Sequence, residues 1–275
     1  MNKLIIRISF LLLALTGIAN AAAFDVFPNY FIVKMAKYDQ TSASAPVLAG
    51  TGPYQLGAYV EGGTPTSITS GSVTSPSGSP GGNLTLSADG GVGDFSTGQN
   101  YSSLSALDSA FLSGTYNLSI QGTHGNYNAN LLVSGTFAPG VATITNTNWV
   151  GQNLQISSTA ALTLTWTLAG AVSTNVFFLQ IHNQNTGNVQ KEITLPGTAT
   201  SYTLPSALAA GDYNFELDYV NVSGSNSTDI TGATGYGGIM NSTQFNVTSV
   251  PEPSSVLLLV AGGSAVTACL RRRRV

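Results

Sequence analysis

The chain has 275 residues, of which only 8% are charged, and its formal net charge is −3. Six of the nine basic residues sit at the two ends, so residues 22 to 249 hold Lys34, Lys37 and Lys191 against eleven acids, a net charge of −8. A body this acidic and this poor in Lys and Arg excludes nucleic acid and anionic lipid as partners, and its single cysteine, Cys269, excludes a disulfide framework.

Residues 1–21 begin with Lys3 and Arg7, continue through the apolar stretch Ile8 to Leu15, and end in small residues at Ala19-Asn20-Ala21-Ala22-Ala23. A basic start, a short apolar core and an Ala-x-Ala site predict a secretory signal helix, cleaved after Ala21 or as late as Ala23. About 230 residues then remain, room for one large or two ordinary domains. Short runs alternate apolar and polar side chains between Gly, Asn, Pro and Ser, which predicts strands throughout. Val26 to Val33 reads as a strand with its alternation partly broken, and Tyr54 to Val60 as a second. Ser67 to Leu86 reads as a hairpin through Ser75 to Gly82, and Gln121 to Thr136 as another turning at Gly125-Asn126. Short helical turns are predicted near Leu104 to Phe111 and Ser206 to Ala209.

Phe111-x-x-Gly114-x-Tyr116-Asn117-Leu118-x-Ile120 recurs as Leu208-x-x-Gly211-x-Tyr213-Asn214-Phe215-x-Leu217. The two tyrosines stand 97 positions apart (213 − 116), about one sandwich domain. Glycine permits a tight turn, tyrosine opens the next strand, and its hydroxyl can bond back to the incoming backbone. The repeat predicts a first β-sandwich at 22–140 and a second at 141–249. In the second, Leu162, Leu164, Trp166 and Leu168 alternate with threonines, and Phe177, Leu179 and Ile181 mark the next strand. The tryptophan strand and the later Gly-x-Tyr strand resemble fibronectin type III and immunoglobulin-like domains over roughly residues 141 to 249. The fold class expected is therefore all-β, two tandem sandwiches of that kind, with a signal helix before them and a short transmembrane helix after.

No catalytic, cofactor or metal constellation emerges. His124 lies in a turn, and His182 alternates against Phe177, Leu179 and Ile181, which sends it to solvent. No Gly-x-Ser-x-Gly elbow or paired histidine ligands appear. Asp89 and Asp94 flank a glycine loop, while Asp212, Glu216 and Asp218 share the parity opposite to Tyr213, Phe215 and Leu217 and so are expected on a solvent face. Trp149, Tyr127 and Tyr236 are the candidate glycan contacts, with Trp149 at the interdomain joint as the alternative.

The chain ends in Val250-Pro251-Glu252-Pro253, an apolar run from Val256 to Leu270, and Arg271, Arg272, Arg273 and Arg274. The prolines keep the first stretch extended. The run of about 15 residues is roughly 22 Å of helix, short of the ~20 residues usually needed to span a bilayer. The arginines resist translocation. Residues 250–275 resemble the sorting signal of the PEP-CTERM family of exported bacterial proteins. The resemblance implies export by the Sec machinery across the inner membrane of a Gram-negative-type bacterium and transient membrane anchoring through the tail. It further implies recognition of Val250 to Pro253 by an exosortase, and delivery to the cell surface or extracellular matrix. An ordinary single-pass anchor without processing is the alternative. The function expected is structural or adhesive, tied to exopolysaccharide or biofilm. A carbohydrate-binding module and a cryptic polysaccharide-active enzyme are the other readings.

Overall fold

The computed structural model describes residues 28–61, 68–89, 94–137, 140–187 and 189–251. The predicted signal helix, Glu252, Pro253, the apolar tail and Arg271 to Arg274 lie outside them, as do the side chains of Asp89 and Asp94. Among the described residues no helix is long and apolar enough to cross a membrane.

The first half contains β1 (Asn29–Asp39), β2 (Val47–Leu48), β3 (Tyr54–Val60), β4 (Ile68–Thr74), β5 (Leu84–Asp89), β6 (Asp94–Tyr101), α1 (Leu104–Ala110), β7 (Gly114–Gly122) and β8 (Asn126–Val133). The second contains β9 (Thr143–Ile144), β10 (Trp149–Val150), β11 (Asn153–Ser157), β12 (Thr163–Thr167), β13 (Val176–Asn183), β14 (Val189–Pro196), β15 (Ser201–Thr203), β16 (Gly211–Asn226) and β17 (Thr234–Val250). Ser103 caps α1, its hydroxyl accepting from the Ala106 amide. The turn foreseen at Ser206 to Ala209 is not helical.

Both repeats close as the spacing requires. The Tyr116 hydroxyl donates to the Leu112 carbonyl at 2.8 Å, and Tyr213 to Ala209 at 2.9 Å. Gly114 and Gly211 enter these strands at φ 157° and 155°, backbone that side-chain-bearing residues rarely adopt. Tyr116→Phe and Tyr213→Phe each orphan a carbonyl, so each is expected to lower stability by about 1 kcal/mol in urea denaturation.

Each half has its own core. Tyr30, Ile32, Leu56, Tyr116, Leu118 and Leu131 belong to the first. The second is a sandwich in which the small sheet β15-β12-β9, carrying Trp166 and Leu164, covers Phe177, Leu179, Phe215 and Phe245. Trp166 meets Phe177 edge-on at 5.4 Å.

The halves are nevertheless built on one sheet. Its path runs β14-β13-β16-β17-β1-β3-β6-β5-β4-β7-β8. β17 is the spine: along one side it pairs with β16, and along the other first in parallel with β1 and then in parallel with β11. The far end of the β16–β17 hairpin crosses into the first core, which includes Ile230, Ala233 and Ile239. The repeat carries no sign of this, because it records corners and not strand partners. β16 is bulged between Val222 and Gly224, where the hairpin crosses over, and a bulge bends a strand and increases its twist.

Ile239, Phe245 and Val247 place both cores on one face of β17. The reverse face carries a third cluster, Phe31, Val33, Phe178, Val220 and Met240. On a flat sheet β3 and β14 would stand about 24 Å apart, at ~4.8 Å per strand. Yet the Tyr59 hydroxyl of β3 donates to Glu192 of β14, and Asn29 of β1 donates to Thr194 Oγ1 of β14 at 3.3 Å. The sheet is therefore curled, and its reverse face folds toward itself.

Candidate functional site

The curl leaves a cleft of about 240 Å³ on the reverse face. Period-two alternation places its wall. Glu216 and Asp218 project from β16 between the core residues Phe215, Leu217 and Tyr219, and Gln180 and His182 project from β13 beside them. Phe31, Val33 and Met35 of β1 and Met240 of β17 form the apolar floor. Opposite, Gly57 of β3 is in register with Gly98 of β6, so that wall is backbone with the Gln55 side chain lying over Gly98 and Tyr59 and Ser96 beside it.

Much of the polar wall is held in place. Glu192 accepts from Tyr59 and, at 3.0 Å, from Gln180 Nε2, which bridges the two arms of the curl. Glu216 accepts from Gln244 Nε2 at 2.8 Å. Asp218 differs. It is only 3% exposed, and its Oδ1 has no hydrogen-bond partner among the described residues. Burial, followed by the charge of neighbouring Glu216, raises its carboxyl well above the usual carboxylate range. The Ser242 hydroxyl, near but not placed to hydrogen-bond it, and the Lys37 ammonium pull the other way without prevailing. The site therefore holds a carboxyl that tends to keep its proton, beside one tied to an amide.

Of the three acids expected on a solvated face, Asp212 is there, and the expectation is corrected for Glu216 and Asp218. Asp212 is exposed and accepts from Thr248, whereas Glu216 is half-buried and Asp218 enclosed, because the curl covers the part of the face they stand on, which parity alone assigns to water. His182 likewise stands half-buried at the cleft and not in open solvent. His124 is exposed in its turn, with Nδ1 2.9 Å from Thr123 Oγ1.

The candidate glycan contacts lie on three separate strands. Trp149 of β10 is half-buried against Phe245, with Nε1 donating to the Asn146 carbonyl at 2.8 Å. Tyr127 of β8 is half-buried at the edge of the first core. Tyr236 of β17 stacks on Phe31 at 5.3 Å, on the reverse face. Among the described residues no three of His, Cys, Asp and Glu gather as a metal site would require. Val250 ends β17 and Pro251 follows it, exposed, so the sorting motif leaves the last strand of the body without a linker.

Residues 249–274 match the family model of the PEP-CTERM protein-sorting motif. The motif implies exosortase processing and export to the cell envelope or surface. No curated protein matches the chain. Among solved structures, the FN1-FN3 domains of chicken CNTN1 are similar over 82% of this chain and 66% of that one, at 9% identity and a TM-score of 0.26. The N-terminal eight Ig domains of Down Syndrome Cell Adhesion Molecule are similar over 79% of this chain and 25% of that one, at 10% identity and a TM-score of 0.22. A chimeric titin Z1Z2-Z1Z2 tandem is similar over 82% of this chain and all of that one, at 13% identity and a TM-score of 0.24. The chain spans less than two thirds of the length of the first two. Likenesses at these scores concern a repertoire of fibronectin III and Ig-like strands and carry no argument about arrangement or partners.

Proposed function

We propose that this protein is a non-enzymatic structural or adhesive component of the cell envelope or extracellular matrix, associated with exopolysaccharide. On this reading the Sec machinery exports it, the tail holds it briefly at the inner membrane, and an exosortase then removes the tail. Two sandwich units, 22–140 and 141–249, make up the released body, the far end of the β16–β17 hairpin of the second completing the core of the first. The sorting motif at residues 249–274 is the observation that carries the reading. The weakly charged, Asn- and Thr-rich body supports it, since little charge opposes association with uncharged polymer or with other copies.

Mass spectrometry of the protein from native cells is the test. Mature material should begin at residue 22 or 24 and lack Arg271 to Arg274, while a Pro251→Ala, Glu252→Ala, Pro253→Ala triple variant should keep its tail and stay in the membrane fraction. A mature wild-type chain that retains the four arginines overturns the processing step. Failure of the released protein to co-sediment with the cell's own exopolysaccharide overturns the matrix association.

A further inference from the structure

We propose that the cleft on the curled reverse face is a binding site for one neutral, hydroxyl-rich sugar unit of a polysaccharide. This rests on the exopolysaccharide reading above and gives it a location. The starting observation is Asp218, a residue only 3% exposed that lines the cleft and has one carboxyl oxygen without a partner among the described residues. An unmet buried acceptor is costly to fold around. Oδ1 is itself closed to solvent, so a turn of the Asp218 carboxyl toward the cleft is what would let a ligand hydroxyl supply the missing hydrogen bond.

The surroundings select the class of ligand. A pyranose has a rim of hydroxyls and flat C–H faces, so it suits a site that is polar on one wall and apolar on the floor. Here Asp218, Glu216, Gln180 and Gln55 offer acceptors and amide donors, and Phe31, Met35 and Met240 offer the floor. Ligand pockets for drug-sized molecules run to about 300–1,000 Å³, so a cleft of about 240 Å³ takes one ring and not several. Over the Gly57–Gly98 strip lies the flexible Gln55 side chain, which a polymer continuing outward would move aside, and Gly98 itself is exposed. Charge excludes the neighbouring classes. Among the described residues no Lys or Arg lines the cleft to pair with a uronate or sulfated sugar, and Lys37, which acts on the Asp218 carboxyl, is not part of the lining. A protonated amine calls for ionised carboxylates, whereas the carboxyl at the head of this cleft, Asp218, favours its neutral form.

The full chain, purified in detergent, is titrated with methyl glucoside, methyl galactoside, methyl mannoside and putrescine, followed by saturation-transfer NMR and calorimetry. At least one glycoside should bind, and putrescine should not compete with it. Asp218→Leu, similar in size and apolar, should weaken that binding about tenfold by removing one hydrogen-bonding group. Gly98→Leu, on the wall opposite Asp218, fills the cleft and pushes Gln55 out of place, and should abolish the binding. The first carbon of its side chain meets the flexible Gln55 side chain and no backbone, and an unchanged melting temperature separates a blocked cleft from a damaged fold. Binding of putrescine alone, binding of no glycoside, or glycoside binding unchanged in both variants overturns the site. If wild type and both variants are retained equally by the cell's exopolysaccharide, the cleft is wrong and the matrix reading stands. If wild type binds a glycoside but is not retained by exopolysaccharide, the matrix reading fails and the cleft stands.

Discussion

Gly237→Ala is expected to destabilise the protein by roughly 1–3 kcal/mol, the usual range for forced overpacking. A methyl group at this position would stand 2.3 Å from the Leu132 carbonyl oxygen, 3.0 Å from its carbon and 3.1 Å from Leu131 Cβ. Two of those atoms are backbone, so no rotamer change relieves the clash, and β8 must lift off β17. That seat is held nearby by the Ser134 amide donating to Ser223 Oγ at 3.1 Å and by Asn130 N donating to Asp229 Oδ2 at 3.0 Å. Gly50→Ala is the control: nothing lies within 4 Å of its added methyl, and exposed changes of this kind stay within about 0.5 kcal/mol. Urea denaturation should show a lower midpoint for Gly237→Ala with the slope unchanged. Equal midpoints for the two variants would mean that β8 does not rest on Gly237.

Local features were legible in the sequence because they depend on neighbours in the chain. The Gly-x-Tyr corners, the Trp166 strand and the hairpin through Ser75 to Gly82 are each specified within ten residues or so, by turn chemistry and period-two alternation. The β1–β17 pairing is not. It joins residues some two hundred positions apart, and a parallel edge leaves no turn between its partners to read. The cleft was hidden for a related reason. Parity separates the faces of a strand but does not say that the second face will be covered. One signal was present: Phe31-Ile32-Val33, Phe177-Phe178-Leu179 and Tyr219-Val220 put apolar residues on both faces, the mark of strands buried twice. Taken together they locate the third cluster, and Asp218, two residues before Val220 on the same face, would have been placed beside it and not in solvent.

Asp218→Asn is expected to stabilise the protein by roughly 1–3 kcal/mol at neutral pH, the scale of an unmet buried polar group. Asparagine keeps the shape, carries no charge to bury, and removes the repulsion from Glu216. The pH dependence follows from the raised folded-state pKa. The unfolded chain releases the Asp218 proton near the ordinary carboxylate value, about 3.9, whereas the folded protein holds it to higher pH. Between those two values the native state binds more protons, so stability falls as pH rises. The contribution is fully present below the unfolded pKa and is lost by the time pH has passed the folded one. The charged groups facing Asp218, Glu216 and Lys37, stay in both proteins, and so do Glu192 and His182 further along the wall. Subtracting the wild-type stability from that of Asp218→Asn across pH 3 to 8 should therefore leave a single rising curve. A flat difference would mean that Asp218 ionises as easily inside the fold as outside it, and that its carboxylate has a partner in solution. If the curve rises, the wild-type residue is kept at a cost to stability that asparagine would avoid, which is the pattern of a group retained for what it binds.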